Sequence, residues 1–355
     1  MPAPGISMKL SGGDFDSECC MTDIQAYAAT ERGSDLAPFA YDPGPLDDDH
    51  VEIDVTACGL CHSDVSMLDN EWGITQYPLV PGHEAIGRIT ACGANVSHLK
   101  PGQMVGVGWS AESCLTCGQC LSGHHQRCGT GKPTIRGRHG GFADRMRVQA
   151  VWAIPLPDGI DARSAGPLFC GGITVFSPFL DYKILPTDRV GVIGIGGLGH
   201  LAVQFARAWG CEVTAFTGSM DKTEELKGLG AHKIVNSRDD SALKALRGQY
   251  DVIISTVNVN LAWHRYISAL APKGRLVHVG MITEPMAVPG GALVAGQKQV
   301  GGSDTGSPAV VAKMLEFCAR HDIRPVTEYF KFADVNAAVA HLKSGKARYR
   351  IVLEP

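Results

Sequence analysis

Hydrophobic positions along the chain change their rhythm once. From about residue 24 to residue 154 they come in short runs, for example at 51–55, 85–91 and 104–107, each bounded by Gly, Pro or Asp. Short β-type runs between turn residues predict the strands of an irregular, mostly β domain. After about Gly171 the pattern lengthens. Residues 189–195 form an apolar run of buried-strand type, followed by a Gly-rich turn and a helical pattern through Trp209. Strand-like runs recur at 212–216, 233–235, 251–256 and 275–279, with helix-like segments such as 222–229 and 261–270 between them. Such alternation predicts an α/β fold with a doubly wound parallel sheet covered on both faces. Near Ser307 the chain enters another helix, 308–320, and short strands are expected from there to the end.

Length and charge narrow the picture. At 355 residues the chain is too long for one comfortable core and suits two domains. With 45% apolar and 19% charged residues it has an ordinary globular balance. A formal charge of −4 supplies no basic field for nucleic acid or an acidic membrane surface, so neither is an expected partner. The most apolar stretch, 189–209, is broken by His200, Gln204 and several glycines, which argues against a membrane span. The first twenty or so residues lack a charged-then-apolar pattern and read as a loose leader, not a secretion signal. A cytoplasmic location is the expectation.

Twelve cysteines in a chain of this kind point to metal or chemistry more than to disulfides. Cys114, Cys117, Cys120 and Cys128 are spaced C-x2-C-x2-C-x7-C. Four thiolates that close can complete a tetrahedral Zn²⁺ shell and leave no place for water, which is a structural site. A second set is open. Cys61, His83 and Cys170 would form a Cys2His site that keeps a fourth position for water or substrate. On spacing alone Cys58 competes with Cys61, and a lone His83 reads more readily as a satisfied core histidine than as a ligand.

Gly194-Ile195-Gly196-Gly197-Leu198-Gly199 fits G-x-G-x-x-G between a predicted strand and a predicted helix, the context that lets glycines bring a pyrophosphate to a helix N-terminus. The end of the next strand chooses the cofactor. An NAD site expects an acid there to hold the ribose hydroxyls, but the chain reads Thr217-Gly218-Ser219-Met220-Asp221-Lys222. Thr217, Ser219 and Lys222 suit a 2′-phosphate, which favours NADP(H). The plainer reading is that the hydroxyls cap a helix and Lys222 is solvated.

Taken together, residues 59–64 (GLCHSD), 81–84 (PGHE), the four-cysteine lobe, 170–174 (CGGIT) and the glycine turn resemble the zinc-dependent medium-chain dehydrogenases. Within them the chain is similar to the cinnamyl alcohol dehydrogenase-like branch with its bacterial aldehyde reductases, and the likeness extends to 314–318 and 348–352. The resemblance implies a GroES-like catalytic domain at 1–170, a Rossmann domain at 171–308 and a return to the catalytic domain at 309–355. It implies two zinc ions per chain: one catalytic on Cys61, His83 and Cys170 with Glu84 as an occasional ligand, and one structural. Asp64 would orient the histidine ligand, and Ser63 would pass the substrate proton. Thr174, Thr256, Gly280 and Ser303 would join the glycine turn in holding the cofactor, and Trp72, Ile74 and Trp109 would wall the substrate. A homodimer paired through the nucleotide-binding domains is implied as well.

Three departures from the family pattern stand out. Ser66 occupies a position where many relatives carry His, so the outer proton path is expected to run through ribose hydroxyls and water. The loop between Cys128 and Gly140 is short. Asp304 stands where an apolar residue near the substrate is expected. The implied reaction is hydride transfer between nicotinamide and a primary alcohol or aldehyde, with zinc as Lewis acid. Two alternatives are an enone or imine reductase on the same scaffold and a non-catalytic NADPH-binding protein.

Overall fold

The computed structural model describes residues 23–355. The expected leader lies outside the described residues.

Two sheets organise the chain. The first is mainly antiparallel and runs in the order Thr327–Lys331, Arg350–Glu354, His50–Leu60, Ala85–Cys92, Met104–Val107 and Ile154–Pro155, with Arg145–Gln149 pairing separately on His50–Leu60. Alternation in His50–Leu60 gives way to a wholly buried end at Gly59 and Leu60, and this end delivers Cys61 to the interior. The last strand, Arg350–Glu354, pairs antiparallel with His50–Leu60 through Ile351 opposite Leu60. The C-terminus therefore belongs to the first sheet.

The second sheet has six parallel strands in the order Lys233–Asn236, Glu212–Thr217, Arg189–Ile193, Tyr250–Ser255, Leu270–His278 and Gln299–Gly302. Val190, Val192, Val252 and Ile254 are fully buried, as continuous apolar runs in a sheet covered on both faces demand. From Arg189–Ile193 the chain winds outward to Lys233–Asn236, then crosses to Tyr250–Ser255 on the other side. The carboxyl ends of these two neighbouring central strands form the topological switch point, where open α/β sheets bind ligands. A shared core joins the sheets: Ile86, Phe169, Val192 and Val352 lie in one buried cluster.

Two segments differ from the sequence pattern. Strand Leu270–His278 begins where a helix was expected to end, because helix Trp263–Ala269 stops before Pro272. A helix, Val335–Lys343, interrupts the short strands expected near the C-terminus. Its buried stripe rests on Val335 and Ala338, which is too weak a signal to stand out in the sequence.

Candidate active site

Cys61 caps helix His62–Leu68, and the turn folds back on Asp64. The fully buried Asp64 carboxylate accepts from the Cys61 N–H (2.9 Å), the Gly82 N–H (2.9 Å) and His83 Nδ1 (2.9 Å). This fixes the histidine tautomer and leaves Nε2 facing inward. Burial works to lower the His83 pKa, yet Asp64 reverses the balance and holds it well above the usual range. Gly82 is at φ +99°, and a Cβ there would come within 2.6 Å of the Phe142 ring. Cys170 arrives from the far side, between the turn Gly166–Phe169 and helix Gly171–Asp181. Any side chain at Gly106 would strike Phe169 at 2.1 Å and displace the neighbouring cysteine.

The donor atoms of Cys61, His83, Glu84 and Cys170 all lie within 4.8 Å of one another, and all four residues are buried. Sγ of Cys61 and Sγ of Cys170 are 3.8 Å apart, and His83 Nε2 is 3.2 Å from Cys170 Sγ. Tetrahedral zinc with bonds of about 2.3 Å to sulfur and about 2.0 Å to nitrogen places such donors about 3.8 and about 3.5 Å apart. The residues fit. Oε1 of Glu84 is held by Arg350, while Oε2 is buried with no hydrogen-bond partner. Burial raises the Glu84 pKa to about 7 against the pull of Arg350. The hydrogen bond between Cys61 and Cys170, helped by Arg350 and His83, holds Cys61 well below the usual thiol range, and the same contact pushes Cys170 up. Cys58, the competing ligand, is turned away: its Sγ faces Gly59 O at 3.7 Å, and burial keeps it a thiol.

The four-cysteine lobe closes in the same manner. Sγ separations are 3.6 Å for Cys117–Cys120 and 4.0 Å for both Cys114–Cys120 and Cys117–Cys128, near the spacing of a thiolate tetrahedron. Backbone N–H groups of Thr116 and Cys117 lower Cys114 to about 5, and burial raises Cys120 to about 12. The lobe's helical pieces, Gly118–Leu121 and His125–Arg127, are short.

At the switch point, Gly194 turns with φ +85°, and a Cβ on Gly199 would sit 2.0 Å from Gly194 O. These glycines allow the helix Gly199–Trp209, capped at Leu198, to approach the strand. Gly196 has open space where its Cβ would be, the free approach a pyrophosphate needs. Thr256 Oγ1 donates to Gly194 O at 2.6 Å, and a Cβ on Gly280 would meet Val257 O at 2.0 Å, so both brace the turn. Thr174 is buried one turn after Cys170 and donates its N–H to Cys170 O at 3.0 Å.

Comparisons with known proteins agree with this geometry. The family described as Alcohol dehydrogenase GroES-like domain matches residues 47–158, and that described as Zinc-binding dehydrogenase matches 197–320. The chain is 56% identical to "Aldehyde reductase AdhA" of Synechocystis sp., over 93% of this chain and 98% of that one. It belongs to the zinc-dependent medium-chain alcohol dehydrogenases. Its branch is the cinnamyl alcohol dehydrogenase-like one. A cinnamyl alcohol dehydrogenase structure from Sorghum bicolor superposes with a TM-score of 0.90 at 35% identity, covering 94% of this chain and 97% of that one. "NADP-dependent alcohol dehydrogenase C 1" of Mycolicibacterium smegmatis is 36% identical over 94% of this chain and 98% of that one.

In this dehydrogenase the strand Glu212–Thr217 ends without an acid. Thr217 is buried and its Oγ1 accepts the Ser219 N–H at 3.1 Å, which shapes the turn. Lys222 Nζ lies 5.3 Å from the Tyr349 ring centre. Sequence reasoning passed over Arg238, whose guanidinium lies across Gly218: a Cβ there would be 2.8 Å from Nε. A basic residue just past the next strand was the available signal.

Beside the metal-ligand cluster, Trp109 meets the His83 ring edge-on at 5.2 Å and Trp72 at 6.0 Å, and Ile74 packs on the same core. Ser63 is half-buried in the first turn beside Cys61. Ser66 is buried, and its Oγ donates to Glu71 Oε2 at 2.6 Å. Ser303 follows the edge strand and donates its N–H to His278 O at 3.1 Å. Asp304, expected at the substrate wall, stands apart from the tryptophans in its contacts. Its carboxylate is taken by Arg127 of the cysteine lobe, with Nε to Oδ2 at 2.9 Å. Arg350 was the larger omission: a lone arginine in an apolar strand signals a buried partner, which proves to be Glu84.

Proposed function

We propose that this chain is an NADP(H)-dependent zinc alcohol dehydrogenase that acts chiefly as an aldehyde reductase on primary alcohols and aldehydes. The observation that carries this is the Cys61–His83–Cys170 donor set, with the Glu84 carboxylate beside it and Trp109 edge-on to His83. The names of the Synechocystis and Mycolicibacterium relatives support the aldehyde and the NADP assignments. When bound, zinc supplies a Lewis acid and the nicotinamide a hydride carrier. The chain does the rest. Asp64 orients His83, and the two tryptophans exclude water from the substrate side. Ser63, next to Asp64, holds the first position of the proton path. Ser66 is committed to Glu71, so the path continues through ribose hydroxyls and water. Thr217, Ser219 and Lys222 border the 2′-phosphate.

The second zinc, in the four-cysteine lobe, is part of this reading, as are a cytoplasmic location and a homodimer. The edge strand Gln299–Gly302 supports pairing through the nucleotide-binding sheet, together with exposed Val294 and Met281 nearby. Among the described residues no helix is long and apolar enough to cross a membrane.

The test measures NADPH and NADH oxidation side by side with benzaldehyde, cinnamaldehyde and short aliphatic aldehydes, before and after zinc removal. Zinc-dependent turnover with NADPH and little with NADH is the expected result. Full turnover by Cys61→Ser would instead favour an enone or imine reductase with zinc as spectator, and no turnover by zinc-replete protein would sink the proposal.

A further inference from the structure

Helix Thr223–Gly228 opens at Lys222, and Glu225 lies three residues on. A lysine and a glutamate so spaced are close enough on a helix surface to pair. In the same helix Lys227 and Glu224, also three apart, do pair at 2.7 Å. Lys222 and Glu225 do not. The Glu225 carboxylate is turned to the Arg348 guanidinium, and the Lys222 ammonium rests on the face of Tyr349, 5.3 Å from its centre. The platform beneath it is well anchored. Tyr349 stacks on buried His200 at 4.8 Å and 11°, the Arg348 N–H donates to Glu328 Oε1 at 2.8 Å, and the Tyr349 and Arg350 N–H groups both reach Val326 O at 3.0 Å.

We propose that Arg348 is a positioning residue for cofactor choice: by holding Glu225 it keeps Lys222 free for a 2′-phosphate. This rests on the NADP(H) reading above. The Lys222 N–H bonds Ser219 O at 3.4 Å, so the lysine borders the Thr217–Ser219 turn directly. An ammonium on an aromatic face is held weakly enough to move to a phosphate dianion. An ammonium already paired with a carboxylate has lost that freedom. Without Arg348, Glu225 would both capture Lys222 and repel the phosphate. Neither effect bears on a plain 2′-hydroxyl. Arg348 lies in the segment that leads into the last strand of the catalytic sheet, so the choice between the two nicotinamide cofactors depends on a contact between domains.

The experiment is equilibrium binding of adenosine 2′,5′-bisphosphate and of 5′-AMP to the zinc-loaded protein by calorimetry, with no turnover involved. Arg348→Gln is expected to weaken the bisphosphate about fivefold, the size of one charge contact at about 4 Å screened by bulk water, and to leave 5′-AMP unchanged. Adding Glu225→Gln is expected to restore the preference. Equal weakening of both ligands, or no recovery in the double variant, would overturn the proposal. Should Arg348→Gln fail to fold, Glu225→Gln alone decides: a retained or raised preference supports it, and a lost one refutes it. A wild-type protein that binds both ligands equally would refute the NADP(H) reading itself. A wild-type preference that Arg348→Gln leaves intact would refute only the role of Arg348.

Discussion

Arg350 reaches from the last strand into the metal-ligand cluster and pairs with Glu84, with both side chains closed to solvent. Each charge is favoured there by the other, and the Cys61 and Cys170 sulfurs favour Arg350 as well. Removing one partner of a buried pair costs about 3–5 kcal/mol, because the remaining charge has no water to turn to. Arg350→Gln is therefore expected to lower stability by about that much in urea unfolding, and Arg350→Gln with Glu84→Gln to recover a large part of it. If the single and double variants were equally unstable, the loss would lie in Arg350's packing against Gly197, not in the pair.

Asp64 takes three hydrogen bonds at once, from Cys61, Gly82 and His83. An asparagine would keep the shape but lose the charge behind the imidazole. Changes of this kind typically cost about 10- to 100-fold in metal affinity or activity. Competition with a chromophoric chelator should show that loss for the catalytic zinc of Asp64→Asn and none for the structural zinc. Unchanged affinity would mean that the carboxylate serves the fold alone.

The four-cysteine lobe has only short helical pieces of its own, so the metal is expected to hold it together. The wild type is expected to bind two zinc ions per chain and Cys120→Ala one, and elemental analysis would show it. The variant's melting temperature should fall, and the catalytic zinc should stay. Two equivalents retained in the variant would remove the structural assignment.

What could be read from the sequence depended on how far apart the cooperating residues lie. The four cysteines and the glycine turn are local, so spacing alone placed them, and the strand Arg189–Ile193 was visible because a sheet covered on both faces needs an unbroken apolar run. The open metal set needed the family resemblance, since Cys61 and Cys170 are 109 positions apart and Cys58 reads as well as Cys61. Arg350 and Glu84 meet across 266 positions, and Arg348 and Glu225 across 123. No periodicity records such contacts. The partner of Asp304 was hidden for the same reason, because Arg127 lies 177 positions earlier.

His200 links the nucleotide turn to the C-terminal segment in one protonation state only. Its Nδ1–H donates to Gly196 O at 3.1 Å, and Nε2 accepts the Val326 N–H at 3.2 Å. Burial lowers its pKa to about 3. Between the usual histidine value and that figure the unfolded chain takes a proton that the folded one refuses, so stability falls as pH drops through this window. From pH 6.5 to pH 5 the loss is about 2 kcal/mol. His200→Gln should be less stable at pH 7.5 but show a flatter decline below pH 6.5. A parallel decline in the two proteins would assign acid sensitivity to other groups.

Asp304 offers a test of whether an acid near the substrate side shapes specificity. Its carboxylate is 41% exposed and bonded to Arg127, which also faces Asp181 at 3.7 Å. Exposed pairs of this kind contribute about 0.2–1 kcal/mol, because water competes for both charges. Asp304→Asn should therefore change stability by no more than about 1 kcal/mol. Since the acid is spent on Arg127, the Michaelis constants for aromatic and aliphatic aldehydes should keep their ranking. A selective change for one class of aldehyde would show that Asp304 leaves Arg127 and turns toward the substrate once the cofactor is bound. The loop from Gly302 to Thr305 would then deserve mutation before the tryptophans.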